Sequence, residues 1–203
     1  MKRTTKYIIA SAILLAFAGI IASCSCSSCS KNEEAVVPKD ILAKANTYVS
    51  SVTGRDFFKK YISPDFANMK FTPPYYEMAY TLFVPEKPYV NSTIKFFVDT
   101  TGKVMENLDI TGIPKCKNSP TDCDWKIDRD SAVTIAKQYG LEKGIKDWQV
   151  GFIWNDKYQK YVWHILSTLK EMEGDFGYRG SGKEMIIDPV SGDVIEYNDW
   201  HIR

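Results

Sequence analysis

Two stretches of this chain follow the same short pattern, and any fold must accommodate both. Phe96-Phe97-Val98-Asp99-Thr100-Thr101-Gly102-Lys103-Val104 and Met185-Ile186-Ile187-Asp188-Pro189-Val190-Ser191-Gly192-Asp193-Val194 run in one order. Apolar residues lead to an aspartate, then to a short turn ending in glycine, a charged residue and valine. The carboxylate can accept backbone N–H groups inside the turn, and glycine supplies the positive φ that such turns need. Each stretch follows a helix-like segment and strand-like segments, which predicts a duplicated α+β unit.

The first unit begins after Pro38, where Asp40 is positioned to cap a helix through Ile41–Val52 that Gly54 ends. A second short helix, Arg-Asp-Phe-Phe-Lys-Lys-Tyr-Ile at 55–62, stops before Pro64. Segments 75–84, 91–99 and 103–110 are rich in aromatic and β-branched residues and are expected as strands. In the second unit Asp128 or Asp130 caps a helix at 131–141, with Ala132, Ile135, Ala136 and Tyr139 on one face. Gly140 or Gly144 terminates it, and strands follow at 147–154, 160–169, 183–188 and 193–197. The expected fold class is α+β: two tandem small modules, each a helix packed on an antiparallel β-sheet.

Residues 128–197 resemble a PepSY domain, a small module of secreted bacterial proteins and of some metallopeptidase prodomains. The features that carry the likeness are the alanine-containing helix at 131–141, the strand Tyr158–Ser167 and the ending Met185–Tyr197. Residues 40–108 resemble a degenerate copy, which keeps Asp99 and Gly102 but has no proline in the turn. The resemblance implies a non-catalytic protein-binding module that inhibits or regulates a peptidase. A structural or assembly role in an envelope or cell-surface complex is the alternative.

The N-terminus predicts where the modules work. Lys2, Arg3 and Lys6 precede an uncharged run from Tyr7 to Ile21, too short for a comfortable membrane span of about 20 residues but suited to a signal-peptide core. Ile21-Ala22-Ser23-Cys24 resembles the lipobox of bacterial lipoproteins, which implies acylation of Cys24 and a membrane partner reached through that lipid. The expected organisation is a signal at 1–23, a tether at 24–39, a first module at 40–115, a linker loop at 116–124 and a second module at 125–203. Ser25 at the second mature position favours outer-membrane sorting. Lys31-Asn32-Glu33-Glu34 weakly resembles surface-export signals of Bacteroidetes-like lipoproteins.

Charge and cysteine usage narrow the function classes. The chain carries a net charge of +1, and losing the three cations of the signal leaves about −2, so no basic footprint for nucleic acid is present. Cys116 and Cys123 flank a turn-rich loop and are expected to pair in an oxidising compartment. Cys24, Cys26 and Cys29 have a metal-like spacing, but an acylated Cys24 is no thiolate ligand, and no metal or cofactor is expected.

No motif predicts an enzyme: neither H-E-x-x-H, a nucleophile elbow nor a phosphate loop occurs. His164 alternates with the apolar residues of its strand and is expected as a hydrogen-bonded boundary residue, while His201 lies near the chain end. Pro73, Pro74, Tyr75, Tyr76 and Tyr80 are expected to pack a sheet on a helix. The segment 171–182, with four glycines and Phe176, Tyr178 and Arg179, is expected as a loop interrupting a hairpin. Those three residues are the candidate partner contacts. Exposed strand edges offer a further route, β-augmentation by an extended peptide.

Overall fold

Helix α1 (Lys39–Thr53) forms because Ile41, Ala45, Val49 and Thr53 recur every four residues and bury one stripe. The computed structural model describes residues 36–174 and 177–202. Pro38, not Asp40, occupies the N-cap; Asp40 sits in the first turn, where a carboxylate complements the helix dipole. Gly54, at φ 88°, ends α1 and starts the short helix α2 (Arg55–Tyr61).

Strand β3 (Tyr75–Phe83) is the centre of the first sheet. It pairs along its whole length with β4 (Asn91–Asp99), from Tyr75 opposite Asp99 to Phe83 opposite Asn91. Its other edge is shared by β1 (Ile62–Pro64) and β2 (Lys70–Thr72). Met78, Tyr80 and Leu82 from β3 and Ile94, Phe96 and Val98 from β4 are fully buried in one core with the α1 stripe. Tyr80 stacks on Phe96 at 5.9 Å between ring centroids, and its hydroxyl donates to Asn46 Oδ1 at 2.9 Å. Tyr75 and Tyr76 are only half-buried, so of the expected aromatic group Tyr80 is the core member.

The strand expected at 103–110 does not form. Only two isolated bridges remain there, Val98 with Val104 and Lys95 with Thr111. Between them a turn closes with Leu108 N–H donating to the Met105 carbonyl at 3.1 Å. Glu106 and Asn107, weak strand formers, sit in that turn and end the pairing.

Of the two expected caps it is Asp128 that opens helix α3 (Arg129–Gln138), its Oδ1 accepting from Ser131 N–H at 2.8 Å; Asp130 lies in the first turn, and the helix starts and ends earlier than the expected 131–141. It closes in a Schellman arrangement: Leu141 N–H donates to the Ala136 carbonyl, and Gly140 N–H to Lys137, with Gly140 at φ 85°. Ala132 and Ala136 are buried and Ile135 half-buried, whereas Tyr139 is 59% exposed and packs edge-on against Tyr197.

The second sheet is a meander in the order β5 (Gln149–Asn155), β6 (Lys160–Gly174), β7 (Gly177–Ile187) and β8 (Val194–Ile202). Trp163, Ile165, Met185 and Ile187 form a core with Ala132, Ala136 and Leu141. The segment 171–182 corrects the expectation of a loop. β6 runs on to Gly174 and β7 begins at Gly177, with Glu171 opposite Gly180 and Met172 opposite Arg179. Glycine here serves backbone approach rather than irregularity. A Cβ on Gly182 would lie 1.8 Å from the Ser167 carbonyl oxygen. The register shifts between Thr168 and Lys170, a bulge that re-aims the ribbon beyond it.

Rings of the second sheet meet Tyr89 from the β3–β4 connection and Trp125 from the segment before α3 at one junction. Phe152 stacks on Tyr161 at 5.2 Å, Trp125 meets both rings edge-on, and Tyr89 lies 5.2 Å from Trp163. Three side chains hold the connecting segment. Tyr161 donates to the Gly112 carbonyl at 2.9 Å, Tyr89 to Trp125 at 2.9 Å and Trp163 to Ile127 at 2.8 Å. Residues from Val36 onward form one compact unit.

Candidate binding surfaces

The paired aspartate turns are built alike. Asp99 Oδ1 accepts from Thr101 N–H at 2.8 Å, Thr101 Oγ1 at 2.7 Å and Lys103 N–H at 2.9 Å. Asp188 Oδ1 accepts from Val190 N–H at 2.7 Å and Ser191 N–H at 3.2 Å, while its Oδ2 takes Lys160 Nζ at 2.6 Å. The Thr101 hydroxyl and the Lys103 amide hold the Asp99 carboxyl below its ordinary value. Burial pushes Asp188 up, but the Lys160 ammonium and the turn amides outweigh it and leave the group lowered. In both turns one carboxylate oxygen ties down backbone amides two to four residues ahead.

His164, on the face of the second sheet opposite Trp163, has Nε2 3.0 Å from Glu184 Oε2. It is half-buried beside Val162 and Leu166, the hydrogen-bonded boundary position expected of it. Among the described residues no group of three or more His, Cys, Asp or Glu could hold a metal ion.

The Sγ atoms of Cys116 and Cys123 lie 2.06 Å apart with Cα atoms 5.5 Å apart, the geometry of a disulfide across a turn-rich loop. The loop forms one wall of a cleft with Phe57, Tyr61 and Trp125. The signal at 1–23, Cys24, Cys26, Cys29 and the Lys31–Glu34 stretch lie outside the described residues. No helix among the described residues is long and apolar enough to cross a membrane.

Of the three candidate partner contacts, Arg179 is exposed on β7 opposite Met172, itself 63% exposed. Phe176 lies outside the described residues, as does the Tyr178 side chain. Beyond Leu166 on β6 and before Gly180 on β7 no described strand pairs with the outer sides of the hairpin, and β6 and β7 continue as a two-stranded ribbon. Lys146 holds the ribbon's base through an ion pair with Glu171. Met172, Arg179, His201 and Ile202 border a shallow depression there.

A second open surface went unnoticed in the sequence. The stripe Arg129, Val133 and Lys137 on α3 faces the segment Lys143–Val150 across a groove of about 730 Å³. Leu141, Trp148 and Val150 complete its apolar lining. The far wall is anchored to β6 by Ile145 N–H donating to Thr168 and by Ser167 Oγ donating to the Glu142 carbonyl. Gly144 permits that approach, since a Cβ would come 2.5 Å from the Thr168 oxygen. The spacing of Arg129, Val133 and Lys137 was the available signal, but their facing wall is set by tertiary contacts. In comparisons with known proteins, no protein-family model matches the chain and no curated protein matches it.

Proposed function

We propose that the chain is a lipid-anchored, non-catalytic protein-binding module of the bacterial cell envelope that regulates a peptidase. The observation that carries this reading is the β6–β7 ribbon. A paired ribbon that outruns its neighbouring strands presents Met172 and Arg179, residue types favoured at interfaces, on a preorganised backbone. The resemblance of residues 128–197 to PepSY modules supports a peptidase as the partner. The Ile21-Ala22-Ser23-Cys24 junction supports anchoring through acylated Cys24 and, with Ser25, an outer-membrane address.

The test places a photoreactive residue at Met172 of the full chain in cells. The expected adduct contains one envelope protein and is lost on Arg179→Glu; purified, that partner loses peptidase activity when titrated with this protein. Adducts with lipid alone would sink the reading. A protein adduct without any effect on peptidase activity would replace it with a structural or assembly role. Cys24→Ala should abolish acyl labelling, and persistent labelling would remove the anchor from the proposal.

A further inference from the structure

We infer that the groove between α3 and β5 accepts an extended acidic peptide, which pairs with the outer edge of β5 as an added strand. Three independent observations meet there. β5 is an edge strand, and no described strand pairs with its outer side. Alternate backbone groups of Gln149–Asn155 therefore point away from β6, the geometry that β-augmentation uses. The groove reaches β5 at Val150, and its floor of Val133, Leu141, Trp148 and Val150 suits alternate apolar side chains of a strand.

Charge selects the occupant. Arg129, Lys137, Lys143 and Lys146 line the groove against a single lining carboxylate, Asp147, on a mature chain that is otherwise slightly acidic. Lys146 is engaged by Glu171, and Arg129 has Asp130 at 3.9 Å. Lys137 and Lys143 make no ion pair among the described residues, so two cations stand ready for carboxylates of a ligand. An anionic lipid headgroup would meet the same cations but would leave the strand edge unused. An extended peptide satisfies both features at once. The inference concerns a different surface from the ribbon and does not rest on it.

The experiment uses the full mature chain in zwitterionic detergent and a fluorescent peptide alternating Glu with Val. Its controls are the Lys–Val counterpart and a Glu–Val peptide N-methylated at every second amide. The Glu–Val peptide should bind, the Lys–Val peptide should bind roughly tenfold or more weakly, and binding should weaken as salt rises. N-methylation should abolish binding, and amide exchange should slow at Gln149–Ile153. Lys137→Glu with Lys143→Glu should weaken binding roughly tenfold at an unchanged melting temperature. If that variant fails to fold, Lys137→Gln with Lys143→Gln reads the same loss. Arg179→Glu should leave peptide affinity unchanged, which separates failure here from failure of the ribbon reading. No binding, equal binding of the two charge types, or slowed exchange confined to β8 would overturn the inference. So would displacement by soluble dihexanoylphosphatidylglycerol of a peptide indifferent to N-methylation, which would mark a lipid site.

Discussion

The Tyr161 hydroxyl donates to the Gly112 carbonyl at 2.9 Å, and a Cβ on Gly112 would sit 3.1 Å from the Tyr161 hydroxyl oxygen and 2.6 Å from the Thr93 carbonyl oxygen. The glycine thus allows a strand of the second sheet to satisfy a carbonyl of the connecting segment. Burial pushes the Tyr161 hydroxyl up to about 12, so it is a neutral donor throughout the physiological range. Tyr161→Phe leaves a buried acceptor without its donor and should cost about 1–3 kcal/mol. Urea unfolding should show a lower midpoint with an unchanged slope; an unchanged midpoint would mean that water replaces the hydroxyl.

Two glycines separate steric need from conformational need. A Cβ on Gly182 would collide with the Ser167 carbonyl at 1.8 Å, whereas Gly140, at φ 85°, has open space around it. Gly140→Ala should cost about 1–2 kcal/mol for the left-handed backbone alone. Gly182→Ala should cost more, roughly 3 kcal/mol or above, because two strands must separate. Comparable thermal shifts for the two variants would contradict this ranking.

Acid should destabilise the protein through its turn carboxylates. Asp188 and Asp99 are held below the ordinary aspartate value of 3.8, so their stabilisation is complete above it. It is lost as pH falls below 3.8 through the folded-state values, because the unfolded chain then binds protons first. Asp188→Asn should lower stability at neutral pH and flatten the decline on acidification. A variant as steep as wild type would show that other carboxylates dominate.

The local devices were legible in the sequence, and the long-range ones were not. Asp99–Gly102 and Asp188–Gly192 could be read because a turn depends on its own residues and the sign of one φ. Asp128 and Gly140 were each one of two candidates for the ends of α3, legible for the same reason. Segment 103–110 has β-branched residues and yet turns at Glu106, since pairing depends on neighbours as much as on propensity. Glycines 174, 177, 180 and 182 suggested a loop, but Gly182 serves a bulged strand crossing whose partner, Ser167, is remote in sequence. The groove facing α3 needed Thr168 to fix its far wall, a contact no periodicity announces.

The disulfide closes a short loop, seven residues apart in sequence. Such a crosslink restricts the unfolded chain modestly, so Cys123→Ala should fold and cost about 2–3 kcal/mol. Peptide mapping without reductant should recover the two cysteines joined in native protein. Two freely alkylated thiols would refute the bond.

Trp125 and Trp163 are both buried and both pack edge-on against Phe152 of β5, Trp125 from the connecting segment and Trp163 from β6. Their light emission therefore reports on the packing of the connecting segment and of β6 against β5. Denaturation followed by tryptophan fluorescence should share its midpoint with loss of the backbone dichroism signal, because Trp125 packs on rings of α2, β5 and β6 at once; separate midpoints would mean that these parts unfold independently. Coincident midpoints would make the chain from Val36 onward one cooperative unit of unfolding as well as one compact unit.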